Sequence, residues 1–205
     1  MTVYLWLPHE NGIEGVLAVD RRRTHNQLKR QGKGVRKTRK VVSTGVNKLN
    51  IANDNIIYVC SGPSQYKEKL TELVEDYTDQ SIYLFLNYER LVRQLFNREN
   101  LKEAFSYLII FAGIPGEEKL HAYSASAGMN QRLVVTPVDE IHAGGSGGKI
   151  ARNYASKHWN PSMDLDQSVR VAYDALLDAE KRVSTCKYAD VTKVTMTGFQ
   201  RVIVY

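Results

Sequence analysis

Strand-like and helix-like patterns of apolar residues alternate along the chain in blocks. The first block, Thr2-Val3-Tyr4-Leu5-Trp6-Leu7, is rich in β-branched and aromatic residues. It is followed by Asn11-Gly12, a strong two-residue turn signal, and by a return run from Ile13 to Val19. These predict an N-terminal hairpin that ends at Asp20. Val41 to Asn47 and Asn55 to Ser61 read as two further strands. After Gly62 the period changes: Leu70, Leu73, Val74 and Tyr77 recur every three or four residues and predict a helix from near Ser64 to about Asp76. A second helix is predicted near Tyr83 to Asn97, buried on a broad face by Leu84, Leu86, Leu91, Leu95 and Phe96.

The middle of the chain returns to strands. Ser106 to Ala112, Lys119 to Ser126 and Gln131 to Val138 predict a meander turned by Ile114-Pro115-Gly116 and Gly128-Met129-Asn130. The last third predicts a helix from Gly148 to about His158 and another from Asp164 to Arg182, with Asp164 or Ser162 as cap, and a closing hairpin of Val191 to Met196 and Gln200 to Tyr205. This order is not the strict βαβα alternation of a parallel sheet. It predicts an α+β fold in which two antiparallel sheets pack face to face with helices outside, a four-layer αββα sandwich. No internal repeat or low-complexity tract interrupts it.

Length and composition narrow the class. With 205 residues, 43% hydrophobic and 24% charged, the chain fits one water-soluble domain, 1–205, and excludes disordered, coiled-coil and collagenous classes. The longest apolar stretch, Tyr107 to Gly113, is far shorter than the roughly 20 residues that cross a bilayer, and no basic segment precedes an apolar leader. A cytoplasmic protein with no membrane contact is expected. Cys60 and Cys186 lack metal-ligand spacing and read as free thiols. The net charge of +6 hides an asymmetry: ten basic residues and no acidic one lie between Arg21 and Lys40, so the remainder of the chain is net negative. The stretch from 21 to 40 contains glycine and has no apolar period, which predicts an extended or mobile inserted loop.

Generic catalytic motifs fail. The run from Ala143 to Ile150 imitates a phosphate loop, but Ala143 stands where the first glycine is required and Ile150 where a hydroxyl is required. The five histidines are scattered, none at helix-borne metal spacing, and Gly145-Ser146-Gly147 lacks the context of a nucleophile elbow. No metal or other cofactor is expected. The extreme N-terminus offers different chemistry. If Met1 is removed, Thr2 carries a hydroxyl and a free α-amine on one residue, and an amine of pKa about 7.7 to 8.0 can serve as base for its own hydroxyl.

The rest of the sequence supports that chemistry through a resemblance. Thr2-Val3-Tyr4-Leu5, then Gly15 to Arg22 with Thr24, then Asn47-Lys48-Leu49, then Val59-Cys60-Ser61-Gly62, and finally Gly144-Gly145-Ser146-Gly147 follow the order found in proteasome β subunits and the bacterial HslV peptidase. The chain resembles this threonine-peptidase family of N-terminal nucleophile hydrolases over nearly its whole length, including the late helix from Ser168 to Arg182. The resemblance implies a proteasome-like fold, Thr2 as nucleophile, and an Asp20–Lys48 ion pair beneath it that lowers the hydroxyl's proton affinity. It implies that the Gly62 N–H faces the oxyanion, that Ser146 bonds near the α-amine, and that the main chain at Thr24 pairs with extended substrate. Arg23, Val46 and Cys60 match positions that line the specificity pocket, where an arginine would favour acidic side chains. Peptide or unfolded protein as substrate, a homo-oligomeric ring and a separate ATP-driven unfoldase follow from the same likeness.

Three departures stand out. The Asp20-to-Lys48 separation is about a dozen residues longer than the family's, and the excess coincides with the basic stretch. Val183 stands where the family has an aspartate, and Cys186 replaces a nearby serine or equivalent; Asp190 is the substitute within reach along the chain. The basic stretch itself has three readings: a solvated flap that selects what enters a chamber, a contact for an acidic partner subunit, or a binder of nucleic acid. The last ranks lowest, because no aromatic residue interleaves the charges. A non-catalytic structural or binding subunit of the same fold is the alternative to the peptidase.

Overall fold

The computed structural model describes residues 2–31, 34–44, 48–96, 100–183 and 189–202. The first half runs β1 (Val3–Pro8), β2 (Glu14–Asp20), β3 (Arg22–Gln31), β4 (Gly34–Thr44), β5 (Leu49–Asn53), β6 (Ile56–Ser61), α1 (Ser64–Asp76), a 3-10 turn at Thr78–Gln80 and α2 (Ser81–Leu95). The second half runs β7 (Asn100–Leu101), β8 (Phe105–Phe111), β9 (His121–Ala127), β10 (Gln131–Arg132), β11 (Val134–Pro137), β12 (His142–Gly145), α3 (Gly148–His158), α4 (Leu165–Val183), β13 (Ala189–Thr195) and β14 (Gly198–Val202).

The strands form two five-stranded antiparallel sheets, ordered β12-β1-β2-β13-β14 and β11-β9-β8-β6-β5. Alternation along the strands sorts their side chains between two environments. Tyr4, Trp6, Leu17, Val19 and Val194 of the first sheet share one cluster with Ile57, Val59, Leu108 and Ile110 of the second. On its other face the first sheet offers Val3, Leu5, Val16, Ala18 and Val191 to Ala151 and Ala155 of α3 and Val169, Ala172, Leu176 and Ala179 of α4. The second sheet likewise places Ile56, Tyr58, Cys60, Tyr107 and Ile109 against Tyr66, Leu70 and Val74 of α1 and Leu84, Tyr88 and Val92 of α2. The molecule is therefore mixed α+β, with two five-stranded antiparallel sheets, two two-stranded pairs (β3 with β4 and β7 with β10) and four α-helices among the described residues, an arrangement compatible with a sandwich. Within them no helix is long and apolar enough to cross a membrane.

Local chemistry explains most boundaries. In the β1–β2 connection Gly12 takes a φ of +68° and Asn11 Oδ1 accepts the Ile13 N–H at 3.0 Å. The expected two-residue turn is in fact wider, since paired residues end at Pro8 and Gly15. Asn11 folds its side chain back on the chain as an Asx turn, which accommodates the longer loop. Asp164 Oδ1 accepts the Gln167 N–H at 2.7 Å, capping α4 as its position predicts.

Two expectations are corrected. The basic stretch predicted as a loop is a two-stranded antiparallel ribbon, β3 with β4, paired from Arg22↔Thr44 to Gln31↔Gly34 with an irregularity between Arg23 and Thr24. Backbone hydrogen bonds pair two strands whatever the period of their side chains, so the search for an apolar period missed it. Its signal was Gly32-Lys33, a glycine-first pair of the kind that favours tight hairpins. The second correction concerns Leu86 of α2, which is 70% exposed. The buried stripe of Leu84, Tyr88 and Val92 is flanked by Phe85, Leu91 and Leu95, which pack against the same cluster with Phe96, so the face is broad as expected but leaves Leu86 outside it.

That stripe yields a test. Tyr88→Ala, which removes a fully buried ring, is expected to cost about 3–5 kcal/mol, and Leu86→Ala to change stability by no more than about 0.5 kcal/mol; urea denaturation of both variants measures the contrast.

Candidate active site

Thr2 stands immediately before β1 and is 9% exposed. Three chain segments converge on it. Its carbonyl oxygen accepts the Ser146 N–H at 3.2 Å and the Ser61 hydroxyl at 3.4 Å. The next amide, Val3 N–H, donates to Asp20 Oδ1 at 2.6 Å, and Lys48 Nζ donates to Asp20 Oδ2 at 2.7 Å. Asp20 and Lys48 are 4% and 8% exposed, so this is a buried ion pair. Each charge is compensated by the other, and one carboxylate joins the Thr2–Val3 peptide to the ammonium.

The elements explain how residues so distant in sequence meet. Asp20 is the last residue of β2, which pairs with β1 in the register Tyr4↔Val19 and so ends level with Val3, the residue after Thr2. Lys48 directly precedes Leu49 of β5, at the rim of the second sheet, and Leu49 is buried in the cluster between the sheets. Ser146 follows β12, which pairs with β1 through Val3↔Gly145 and Tyr4↔Gly144. The glycines there are steric necessities. A Cβ on Gly145 would stand 1.7 Å from the Thr2 carbonyl oxygen, and one on Gly144 would stand 2.3 Å from the Tyr4 hydroxyl oxygen. Gly145 also takes a φ of +83°, which side chains rarely adopt.

The remaining candidates fall in different places. Gly62 has a φ of +138° between β6 and α1, adjacent to Ser61. A Cβ at Gly62 would press on Phe105 Cδ2 and the Ala104 carbonyl at 3.0 and 3.1 Å. Cys60 lies in the cluster beneath α1 and α2, on the sheet face opposite to Val59, which joins the cluster between the sheets. Burial pushes its thiol up to about 12, with Lys67 opposing weakly, so it is no thiolate at neutral pH. Arg23 and Thr24 occupy β3 opposite Ser43 and Val41, flanking the irregularity. Met1, Val46 and Cys186 lie outside the described residues. Val183 is the last residue of α4. Asp190, opposite Val19 on β13, meets Arg21 Nε at 3.5 Å and the Arg201 guanidinium.

One polar group beside the site was not singled out from sequence. The buried Tyr4 hydroxyl bonds Ser106 Oγ and lies 3.4 Å from His142 Nε2, while Ser106 pairs with Ser61 across β8 and β6. Burial raises the Tyr4 pKa, so it remains a phenol. The signal available was the alternation of β1, which puts Tyr4 on the same face as Trp6. A cavity of about 600 Å³ lies elsewhere, at the opposite end of β1, lined by Trp6, His9, Glu14, Lys119, Arg152 and Trp159 among others; none of the candidate catalytic residues borders it. Among the described residues no three His, Cys, Asp or Glu side chains gather to hold a metal ion. No protein-family model matches the chain.

Two tests follow from this geometry. Asp20→Ala or Lys48→Ala, each leaving an uncompensated buried charge, is expected to cost about 3–5 kcal/mol, and the double variant much less than the sum; a double-mutant cycle in urea measures the coupling. Burial, aided by Arg152, holds the His142 pKa below its ordinary 6.5. The unfolded chain then binds the extra proton, so stability is expected to fall as pH drops below about 6.5, and His142→Gln to flatten the stability profile between about pH 7 and pH 5.

Proposed function

We propose that the chain is a threonine peptidase of proteasome-like fold in which Thr2, freed by cleavage of the Met1–Thr2 bond, is the nucleophile. The observation that carries this reading is the buried Asp20 carboxylate, which links the amide next to Thr2 to the Lys48 ammonium. A cation held there, out of water, favours the alkoxide character of the Thr2 hydroxyl and disfavours protonation of the adjacent amine. The Ser146 N–H and Ser61 hydroxyl on the Thr2 carbonyl support the reading because they fix the residue's backbone, which a positioned nucleophile requires.

The steps balance without a cofactor. The Thr2 hydroxyl attacks the scissile carbonyl carbon, and its proton passes to the Thr2 α-amine. The Gly62 N–H stabilises the tetrahedral oxyanion. Collapse breaks the C–N bond, and the α-ammonium returns the proton to the leaving amine. Water, deprotonated by the same amine, then hydrolyses the ester and restores Thr2. Assembly into a closed homo-oligomeric ring fed by an ATP-driven unfoldase belongs to the same proposal.

Intact mass of the protein from its native source tests the first requirement, with loss of the Met1 residue expected. An epoxyketone is then expected to label Thr2. Thr2→Ala should abolish both labelling and peptide hydrolysis, with kcat falling by as much as about 10⁶-fold, the scale for losing a hydroxyl nucleophile. A protein that retains Met1 and leaves the probe unreacted would be a structural subunit of this fold instead.

A further inference from the structure

The ribbon β3–β4 is a sheet of its own, with no third strand among the described residues, and ten basic residues and no acidic one occupy 21–40. Its register distributes the charge over both faces. Lys29, Arg36, Lys40 and His25 fall on one face, and Arg30, Lys37 and Arg39 on the other together with Leu28, Val35 and Val41. Lys29 stands directly opposite Arg36. Like charges at a cross-strand position oppose pairing, and no Asp or Glu occurs between residues 21 and 44 to relieve them. An anionic partner supplies what the ribbon lacks.

The root of the ribbon identifies that partner. β3 begins two residues after Asp20 and β4 ends four residues before Lys48, so the two strands spring from the two members of the buried ion pair. At about 3.3 Å per residue, Lys29 lies on the order of 23 Å along the strand from Arg22. A chain held along the ribbon therefore leads to the site, and an unpaired strand edge accepts an extended polypeptide by backbone hydrogen bonds. No Phe, Trp or Tyr occurs between residues 21 and 44, so stacking of nucleic-acid bases has no support.

We infer that the ribbon is a binding arm for acidic stretches of extended polypeptide, engaging them remote from the scissile bond and steering them to Thr2. The steering role rests on the peptidase reading; the binding role does not. The cations attract the carboxylates over roughly a Debye length, so association weakens as salt rises.

The binding experiment uses the full chain carrying Thr2→Ala, a fluorescein-labelled Glu-rich peptide of about 20 residues, a Gly/Ser peptide of equal length, and single-stranded DNA of equal charge. Anisotropy is expected to give the acidic peptide at least about tenfold tighter binding than the neutral one at low salt. That advantage should vanish near 0.5 M salt, where the screening length is a few ångströms. The variant Lys29→Gln, Arg36→Gln, Lys37→Gln, Arg39→Gln and Lys40→Gln should lose the preference while keeping the far-UV spectrum and urea midpoint of its parent. A parallel variant neutralised only at Lys29, Arg36 and Lys40 should retain part of it. Equal binding by parent and neutralised variant, or tighter binding of DNA than of the acidic peptide, would overturn the inference. With Thr2 intact, an acidic tail should raise kcat/KM for a fluorogenic peptide about tenfold in the parent and not in the five-site variant, with the untailed peptide cut equally by both. Hydrolysis without tail dependence refutes the arm's steering role; absence of any hydrolysis refutes the peptidase reading and leaves the anisotropy result to decide the arm.

Discussion

One buried carboxylate ties this end of the molecule together. Asp20 accepts the Val3 N–H with one oxygen and the Lys48 ammonium with the other, so it joins β1, β2 and the approach to β5. The clusters on either side of the sheets are apolar. Stability alone gives little reason for such a pair. Removing two charges from water costs several kcal/mol per ion, and well-packed apolar replacements of a buried pair are commonly neutral or stabilising. What the pair does in the fold is fix the start of β1, because the carboxylate that takes the ammonium also holds the Val3 N–H. In the proposed peptidase, a positive charge fixed near the Thr2 hydroxyl and amine serves proton transfer.

The glycines around residue 145 serve the same end by steric means. β12 must lie close enough for the Ser146 N–H to reach the Thr2 carbonyl, and at that distance no Cβ fits at Gly145 or Gly144. Gly147, where a Cβ would meet Val3 Cγ2 at 2.8 Å, lets the chain turn directly into α3. The run that imitates a phosphate loop is thus explained by backbone proximity to β1. Rigidity follows, because β1 is paired on both sides and both flanking strands contribute to the site.

How much of this was legible in the sequence depended on the kind of signal each feature carried. Elements that bury one face against a core were readable from period: β1 and β2, the helix opened at Ser64, and α4 with Asp164 at its start all stand close to where the apolar pattern puts them. β12 carries no such signal, since a strand made of His142, Ala143 and two glycines has none of the residues that mark strands. Leu86 misled because an apolar residue on a helix does not announce which face is covered. Thr2, Asp20, Lys48 and Ser146 could be grouped only through the order of motifs along the chain, as no local pattern links them; the structure brings these four together. Ser106 and His142 belong to no such motif, and their contact with Tyr4 depends on strand register, which residue types alone do not specify.

The inserted ribbon shows why a long excursion between two site residues need not disturb them. Asp20 is held by the pairing of β2 with β1 and β13, and Lys48 by Leu49 in the cluster between the sheets, where β5 pairs with β6. Neither anchor lies in the excursion. Closing a longer loop costs only about 0.6 kcal/mol for each doubling of its length, and an excursion that zips into a hairpin brings its own ends together, from Gln31↔Gly34 down to Arg22↔Thr44. Asp190 adds a further clamp, since it sits opposite Val19 on β13 and holds Arg21, the residue that joins Asp20 to the ribbon. The separation of Asp20 from Lys48 can therefore vary in sequence while their distance in space stays at a hydrogen bond, and the length gained is free to acquire charge and reach without loosening the ion pair beneath it.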